Sequence, residues 1–555
     1  MEPLTDTPAA AARAALEALD QPAVIALVPD REVADGPLAG LTVAVKDNID
    51  VAGVPTTAVD PRRTTPAEAD ATVVRLLSES GAVPVAKTNL DQYATGLVGT
   101  RSPFGACRSV FSDAHVSGGS SSGSAVAVAS GAVDLALGTD TAGSGRVPAA
   151  FNALVGWKPT RGLLSTAGVV PACPSLDCVT TFTRDVATAR RVMDVVARPD
   201  AQDPWSRPAP ALPPPGVAAR MTRVGVPAQL PDLDPAYAEP WAGAVERLRG
   251  LVEVVEVDTS DLLEAARLLY SGPWLAERAA AFGDALDDDP AVDPTVRGIV
   301  AGGYRVTGPE TFEGLARLAE HQRRTRALLV DLDAVLLPVV PVHPTLAEVA
   351  ADPVGTNARL GTYTNMVNLL DLCAVAVPGP PCADGMPFGV QLLAPAFADG
   401  PLLDLAARWT GETPLAGDDA GPGRSHVVVV GAHLSGEPLN GDLVRLGGRL
   451  HRRARTAPGS RMHELAGRIA RPALVPDPGA AGGFDAEVWD LPTASVGALL
   501  ATIAPPLGLG TVPLADGSAP SGFVFAGTEQ DLGADISHVS GWRRRPTPST
   551  GRSSR

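Results

Sequence analysis

Residues 118–162 read GGSSSGSAVAVASGAVDLALGTDTAGSGRVPAAFNALVGWKPTRG, and this stretch decides the fold class. A Ser/Gly loop opens it, and the small residues that follow are typical of a tightly packed helix. An apolar strand then leads into the Gly-rich turn 138–146, after which a second helix is predicted. Strands and helices alternate here, which predicts an α/β protein.

Short apolar runs extend this alternation in both directions. The runs LTVAV (41–45) and AVPVA (82–86) predict buried strands, and residues 67–81 between them predict a helix that ends at glycine. Farther along the chain, residues 331–344 predict another buried strand, and residues 372–395 predict a pair of core strands. The whole region therefore reads as one α/β domain.

A change of composition at 410–425 marks a boundary, because TGETPLAGDDAGPGR contains Gly, Pro and Asp and few apolar residues. We therefore predict a catalytic domain over 1–412, a linker over 413–424 and a C-terminal domain over 425–542. The later segments of that second domain predict short strands with turns. The last residues, 543–555, predict a disordered tail.

Bulk properties limit the partners. The formal net charge is −17, which argues against non-specific binding to nucleic-acid phosphates. The five cysteines are an odd number and widely spaced, which indicates free thiols in a reducing compartment. No secretory leader and no apolar run of the ~18–20 residues needed to span a bilayer is found in the sequence. We expect a cytoplasmic protein with neither nucleic-acid nor membrane partners.

Lysine is rare in this chain. Of 45 Lys and Arg residues only three, Lys46, Lys87 and Lys158, are lysines. Each lysine therefore calls for a reason of its own. Lys46 directly follows the apolar run 41–45, which places it at the end of a buried strand. The alternative to a chemical role is a strand-end ion pair, for example with Asp47.

The Ser/Gly segments 118–125 and 138–146 point to serine chemistry. A flexible linker is the simplest interpretation of either segment alone. A phosphate-binding P-loop would end in GK[ST], and Ser144 lies in Ala-Gly-Ser-Gly-Arg rather than in the G-x-S-x-G of a nucleophile elbow. The sequence has no HExxH and no CxxC, so we expect no metal site.

A serine nucleophile needs a base, and lysine can serve only when it is neutral. From a reference pKa near 10.4, neutrality at pH 7 requires roughly 4–5 kcal/mol, at about 1.4 kcal/mol per unit. Burial and neighbouring hydrogen-bond donors can supply this energy. Lys46 is therefore the candidate base.

Four segments together resemble the amidase signature family: VAVKDNIDVAGVPTTA (43–58), KTNLDQYATGLVGTRSPFG (87–105), the stretch 118–162, and PFGVQLL (387–393). The resemblance covers roughly residues 1–410. It implies a mixed central sheet flanked by helices, and hydrolysis of amide bonds.

The resemblance also implies residue roles. Ser144 would be the nucleophile, Ser120 a bridging serine on a cis peptide bond after Gly119, and Lys46 the general base. The oxyanion hole would be formed by the backbone N–H groups of Thr141, Ala142, Gly143 and Ser144. Four residues would be structural and hold the loop by ion pairs: Lys87, Asp140, Arg146 and Lys158. Ser117, Ser122 and Ala142 depart from the proline and glycines commoner in the family.

A further segment indicates the substrate. LLYSGPWLAER (268–278) resembles the substrate segment of allophanate hydrolases, which implies that Tyr270 donates a hydrogen bond and that Arg278 binds the substrate carboxylate. The planar guanidinium suits a planar carboxylated urea. Gly96, in TGLVGTRSP (95–103), would help to shape the pocket. The alternative is an exposed helix arginine and a core tyrosine.

Residues 425–540 resemble the C-terminal domain of allophanate hydrolases, in VVGAHLSGEPLN (429–440) and VWDLP (488–492) among other segments. The implied fold is a small mixed α/β unit like γ-glutamyl cyclotransferase. In the family this domain is thought to help N-carboxycarbamate to lose carbon dioxide, with His433 as the corresponding candidate. The alternative is a structural histidine at a strand end.

The implied net reaction converts allophanate and water into ammonia and carbon dioxide through an acyl-enzyme on Ser144, without a metal or organic cofactor. The family resemblance favours a homodimer. Urea carboxylase, or biuret-forming enzymes of cyanuric acid degradation, would be metabolic neighbours. Three alternatives stay open: an amidase for another small amide, which would not use Arg278; the amidotransferase subunit that amidates misacylated tRNA; and a non-catalytic scaffold.

Overall fold

The computed structural model describes residues 7–209, 221–412 and 424–545, except 466 and 468. Residues 7–209 and 221–412 form one compact unit, and residues 424–545 form another. None of the helices in these ranges has the length and apolar character that a membrane crossing needs. Residues 413–423 of the predicted linker and 546–555 of the predicted tail lie outside the described residues.

The first unit is built on one 11-stranded mixed sheet. The strands of this unit, in chain order, are β1 (Val24–Leu27), β2 (Thr42–Lys46), β3 (Val83–Thr88), β4 (Arg108–Ser109), β5 (Ser112–Val116), β6 (Leu135–Asp140), β7 (Val155–Lys158), β8 (Cys178–Thr183), β9 (Arg223–Pro227), β10 (Glu253–Val257), β11 (Ala334–Pro338), β12 (Leu372–Pro378) and β13 (Gly389–Pro395). The order in the sheet is β1-β3-β2-β6-β8-β7-β12-β13-β11-β9-β10, while β4 and β5 form a separate hairpin. Pairing is parallel along β3-β2-β6 and β10-β9-β11 and antiparallel elsewhere in the sheet.

The helices of the first unit, within the described ranges, are α1 (Pro8–Glu17), α2 (Thr72–Glu79), α3 (Ser122–Ala129), α4 (Arg146–Phe151), α5 (Val186–Val196), α6 (Ala238–Arg249), α7 (Ser260–Ser271), α8 (Trp274–Phe282), α9 (Pro294–Ala301), α10 (Gly308–Leu328), α11 (Leu346–Ala351), α12 (Gly355–Leu360), α13 (Met366–Leu369) and α14 (Asp399–Thr410). Short 3₁₀ turns lie at Gln92–Ala94, Pro235–Tyr237, Gly283–Ala285 and Gly302–Arg305. Side-chain caps define several helix starts. In α10, Thr307 and Glu310 form a reciprocal capping box, which satisfies two backbone N–H groups.

Two central strands bring the chemistry-bearing residues to one edge of the sheet. Both β2 and β6 are buried along their whole length, as expected for strands covered on both faces. They are parallel neighbours, with Val45 opposite Leu137. Their carboxyl ends, Lys46 and Asp140, therefore lie at the same edge of the sheet.

The predicted α/β class is confirmed, and so are the strands at 41–45 and 82–86, each shifted by a residue or two. The predicted core pair in 372–395 is the antiparallel pair β12–β13. The helix predicted over 67–81 begins only at Thr72, because the preceding residues make β-bridges. The threonine-rich strand β8 gave no apolar run, although it is fully buried.

The second unit contains a five-stranded mixed sheet of order β15-β18-β14-β20-β19 and a separate hairpin β16–β17. Its elements are β14 (Arg424–Val429), α15 (Asn440–Arg445), β15 (Arg449–Arg455), β16 (Ser460–Leu465), β17 (Arg471–Pro476), β18 (Asp485–Pro492), α16 (Thr493–Thr502), β19 (Leu507–Thr511) and β20 (Ser521–Phe525), with 3₁₀ turns at Glu529–Asp531 and Trp542–Arg544. The buried side chains of β14 pack with Trp489 and Trp542. The unit continues to residue 545, beyond the predicted boundary at 542. The mixed α/β class is confirmed here too, while the likeness to γ-glutamyl cyclotransferase stays a prediction.

Candidate active site

Lys46 contacts Ser120 directly. Lys46 is the last residue of β2 and is fully buried, and its Nζ lies 2.7 Å from Ser120 Oγ. The same Nζ lies 2.7 Å from Thr139 Oγ1 on the neighbouring strand β6. Ser120 lies in the loop before α3, and the Gly119–Ser120 peptide bond is cis. The structure thus brings together two of the three residues assigned to the catalytic relay.

Burial sets the protonation of Lys46. Removal from water lowers the pKa of Lys46 to about 7, although three buried carboxylates, Asp91, Asp177 and Asp140, act in the opposite direction. A substantial fraction of the amine is therefore neutral near pH 7, as a general base requires. Asp47, the alternative partner considered for Lys46, instead pairs with Lys87 at 3.0 Å.

We expect kcat/KM to follow the protonation of Lys46. A base with a pKa of about 7 is protonated and inactive in acid, so kcat/KM should rise with pH through that value and level off above it. The measurement is a pH profile of kcat/KM with a substrate that does not titrate near neutrality. A profile that is flat through this region would exclude Lys46 as the base.

Ser144 lies in the turn between β6 and α4, and one buried ion pair holds this turn. The Arg146 guanidinium donates to both carboxylate oxygens of Asp140, at 2.9 Å each, and neither side chain is exposed. Asp140 also accepts the backbone N–H groups of Gly143 at 2.8 Å and Gly145 at 3.1 Å. The carboxylate therefore fixes the backbone on both sides of Ser144. The Ser144 Oγ donates to Gly96 O at 3.4 Å, and no hydrogen bond joins Ser144 to Ser120 in the described ranges.

The four backbone N–H groups assigned to the oxyanion hole are not equivalent. The Gly143 N–H already donates to Asp140, whereas the N–H groups of Thr141, Ala142 and Ser144 donate no hydrogen bond within the described part of the chain. Gly143 has φ +134°, and a Cβ there would collide with the side chain of Thr364. Glycine is therefore required at 143 for the path of the backbone.

A buried carboxylate that the sequence reasoning did not single out lies close to both serines. Asp91 accepts hydrogen bonds from the N–H groups of Gly99 at 3.0 Å and Arg101 at 2.9 Å. A Cβ at Gly96 or Gly119 would collide with its Oδ2 atom. Glycine at these two positions thus makes room for Asp91, and Gly96 and Gly119 in turn contact Ser144 and precede Ser120.

Arg278 is the second notable cation of the site. It lies on α8 with 1% exposure, so the alternative of an exposed helix arginine is wrong. Its Nη1 donates to Thr95 Oγ1 at 3.2 Å, and its Nε has no hydrogen-bond partner. The guanidinium carbon lies 5.8 Å from the ring centre of Tyr270, a partly buried residue of α7. No carboxylate among the described residues forms an ion pair with Arg278.

The contacts of Arg278 and Ser144 meet in one short segment. Arg278 binds the side chain of Thr95, and Ser144 binds the carbonyl of Gly96, the next residue. An unpaired buried guanidinium is costly unless an anion compensates it. The arrangement therefore suits a ligand that carries an anionic group close to the bond attacked by Ser144.

The other lysines and the remaining polar residues support this frame. Lys158 Nζ donates to Pro159 O at 2.7 Å, and no ion pair of Lys158 is found within the described ranges. Thr139 and Asp177 join Asp91 as residues near Lys46 that were not singled out from the sequence. Thr139 lies inside the quoted turn 138–146, two residues from the predicted oxyanion segment, and that proximity was the available signal.

His433, in the second unit, lines a cavity of about 240 Å³. Its ring stacks on Phe523 with centroids 4.7 Å apart, and its Nε2 has no hydrogen-bond partner. Burial lowers the pKa of His433 to about 4, so the ring is neutral at physiological pH. Arg471 is the other basic side chain of an otherwise largely apolar wall.

A mixed sheet that holds a buried lysine against a serine is the arrangement of hydrolases that use lysine, rather than histidine, as the base. The family comparison agrees with this class. The chain belongs to the amidase family, whose model matches residues 7–403, and residues 425–546 match the allophanate hydrolase C-terminal domain. The predicted resemblance and fold class are thereby confirmed.

Similar proteins share this two-part organisation. The urea amidolyases of Lachancea kluyveri and Saccharomyces cerevisiae are each 40% identical to this chain, over 92% and 91% of it. The chain spans only 30% and 29% of their respective lengths. The solved allophanate hydrolase of Kluyveromyces lactis is 35% identical, with a TM-score of 0.72, and the match covers 97% of this chain and 96% of that one.

The first unit also resembles a solved protein that acts in another setting. One of the polypeptides of the Thermotoga maritima glutamyl-tRNA(Gln) amidotransferase matches 73% of this chain and 92% of its own length. The two are 27% identical, and the TM-score is 0.63. The amidase fold is therefore shared with proteins that differ in their remaining parts.

Proposed function

We propose that this chain hydrolyses allophanate, with Lys46, Ser120 and Ser144 as its catalytic residues. The observation that carries the proposal is the unpaired, buried Arg278 guanidinium, which contacts Thr95 beside the Gly96 carbonyl that binds Ser144. A carboxylated amide satisfies such a cation, whereas an uncharged amide does not. The similarity to an allophanate hydrolase over nearly the whole chain supports the same substrate.

The proposed chemistry begins with proton transfer. Neutral Lys46 accepts the proton of Ser120, and Ser120 accepts the proton of Ser144 as the Ser144 oxygen attacks the amide carbonyl. For this relay Ser144 turns its hydroxyl from the Gly96 carbonyl towards Ser120. The free N–H groups of Thr141, Ala142 and Ser144 stabilise the oxyanion, and each such donor is worth about 3–4 kcal/mol.

The acyl-enzyme then forms and breaks down. The C–N bond breaks as the relay returns the proton to the leaving nitrogen, so that ammonia departs and an ester remains on Ser144. Water attacks this ester, with the same relay as base, and releases N-carboxycarbamate. Throughout, Arg278 binds the substrate carboxylate and Tyr270 donates a hydrogen bond to the substrate. Gly96 keeps the pocket open beside the nucleophile.

Replacing Arg278 by alanine tests the substrate. We expect kcat/KM for allophanate to fall by roughly 10²-fold or more, because a charged hydrogen-bonded pair is lost, while hydrolysis of an uncharged amide changes little. Ammonia release is measured for both substrates. Arg317→Ala, at an exposed position of α10, is the matched control and should match wild type. Equal losses on both substrates would contradict a carboxylate-binding role, and a wild type that cleaves only uncharged amides would favour an amidase for another small amide.

The second unit and the partners complete the proposal. We propose 1–412 as the catalytic domain and 425–542 as the core of the C-terminal domain. In that domain His433 acts on N-carboxycarbamate as it loses carbon dioxide. The similar urea amidolyases support a place in urea degradation and a urea carboxylase as metabolic neighbour. A cytoplasmic location, a homodimer and a place in cyanuric acid degradation stay predictions.

A further inference from the structure

One turn of the first unit, residues 172–177, connects to the Ser144 loop through Asp177. The Asp177 carboxylate accepts a hydrogen bond from Thr141 Oγ1, whose backbone N–H lies in the proposed oxyanion hole. The same carboxylate accepts the backbone N–H groups of Ala172 at 2.8 Å and Cys173 at 3.0 Å. Asp177 and Cys173 are both buried. This end of the turn is thus tied to the residues that surround the reacting carbonyl.

The same turn is connected to α8 through Glu277. The Glu277 carboxylate accepts Ser175 N–H at 2.7 Å, Ser175 Oγ–H at 2.7 Å and the Cys173 thiol at 2.9 Å. Glu277 directly precedes Arg278 on α8, and its carboxylate makes no ion pair with a described cation. All of its hydrogen bonds therefore hold α8 against the turn.

We propose that the turn 172–177, through Asp177 and Glu277, fixes the distance between the oxyanion loop and Arg278 and thereby makes the enzyme selective for the length of its substrate. The inference rests on the proposed function, since it requires Arg278 to bind a carboxylate. Asp177 and Glu277 act as positioning residues and do not touch the substrate. The substrate class is a primary amide whose carboxylate is separated from the amide carbonyl by one atom.

The physical reason lies in the number and type of the bonds. Hydrogen bonds to a carboxylate are stronger than those between neutral groups, and two carboxylates grip the turn from opposite sides. A substrate held at both ends is hydrolysed fast only when the attacked carbonyl meets Ser144 while the carboxylate meets Arg278. Malonamate has the spacing of allophanate, whereas succinamate is longer by one methylene. A rigid spacer separates the two, and a loosened one does so less well.

The test is the ratio of kcat/KM for malonamate to that for succinamate, in full-length wild type and Glu277→Gln. The substituted amide cannot accept all three hydrogen bonds, so we expect the ratio to fall roughly tenfold, while kcat/KM for uncharged propionamide stays within about twofold. Ser175→Ala loosens the same contact from the turn and should lower the ratio in the same direction by less. Glu313→Gln, at an exposed position of α10, is the matched control and should leave the ratio unchanged.

Each outcome is decisive. If Glu277→Gln and Ser175→Ala lower all three substrates equally, the turn is only structural and the inference is overturned. An unchanged ratio in a folded Ser175→Ala variant overturns it as well, even if Glu277→Gln fails to fold. If wild type cleaves propionamide and ignores both carboxylated amides, the proposed function itself fails, and this result is distinct from the other two.

Discussion

Replacing Ser144 by alanine is expected to abolish ammonia release from allophanate, with a loss of at least roughly 10⁴-fold in kcat. The loss is large because the hydroxyl is the only atom of that side chain that can form the ester, and neither Lys46 nor Ser120 can compensate for it. The backbone of the turn should be unaffected, because Asp140 and Arg146 hold it independently of the Ser144 side chain. Ammonia release in single turnovers is the measurement.

The control for this prediction is Ser130→Ala, at the exposed end of α3, which should retain full activity. Ser120→Ala should also be severely impaired, since it removes the link between Lys46 and the nucleophile. If Ser144→Ala kept a few per cent of activity while Ser120→Ala kept none, the nucleophile would be Ser120 and the assigned order of the relay would be wrong.

Replacing Arg146 by methionine is expected to lower the free energy of unfolding of the first unit by about 3–5 kcal/mol, as for a broken buried ion pair. Burial raises the pKa of Asp140, but the Arg146 guanidinium outweighs this effect and holds the pKa below its usual range. Without Arg146 a buried carboxylate is left uncompensated. Arg146 also donates to Gln391 at 2.9 Å and to Thr364 O at 3.2 Å, so several elements lose a shared partner.

Urea denaturation, followed by a probe in the first unit, measures this change as a shift of the transition midpoint. The matched control is Arg75→Met, which breaks the exposed Arg75–Glu79 pair on α2 and should cost less than about 1 kcal/mol. Activity of Arg146→Met should fall as well, because the turn that carries Ser144 loses its anchor. Equal, small effects of both variants would show that the buried pair contributes little to the stability of the first unit.

Some of the site could be predicted because its signals are local in the sequence. A lone lysine after an apolar run gave Lys46 at the buried end of β2, and the Ser/Gly segments gave the loop and turn that carry Ser120 and Ser144. Arg278 could be singled out because of the segment around it, although its burial could not. These residues belong to short stretches whose spacing alone is informative.

The residues that were missed act across long separations in the chain. Thr139 contacts Lys46 from another strand, and Asp91 is important only because Gly96 and Gly119 leave space for it. Glu277 stood beside Arg278 in the quoted segment, yet its partners lie about one hundred residues earlier. No periodicity or motif encodes such contacts, since they exist only once the sheet has brought the segments together. The commitment of the Gly143 N–H to Asp140 is of the same kind.

The burial of all three lysines has a practical consequence for handling the protein. Lys46, Lys87 and Lys158 each have 0% exposure, and the sequence contains no other lysine. Reagents that acylate amines, and cross-linkers or surfaces that couple through them, therefore find no lysine side chain on the folded molecule. Attachment must use carboxylates or an introduced cysteine. Conversely, the appearance of acylated lysine, read by peptide mass, would time the opening of the core residue by residue.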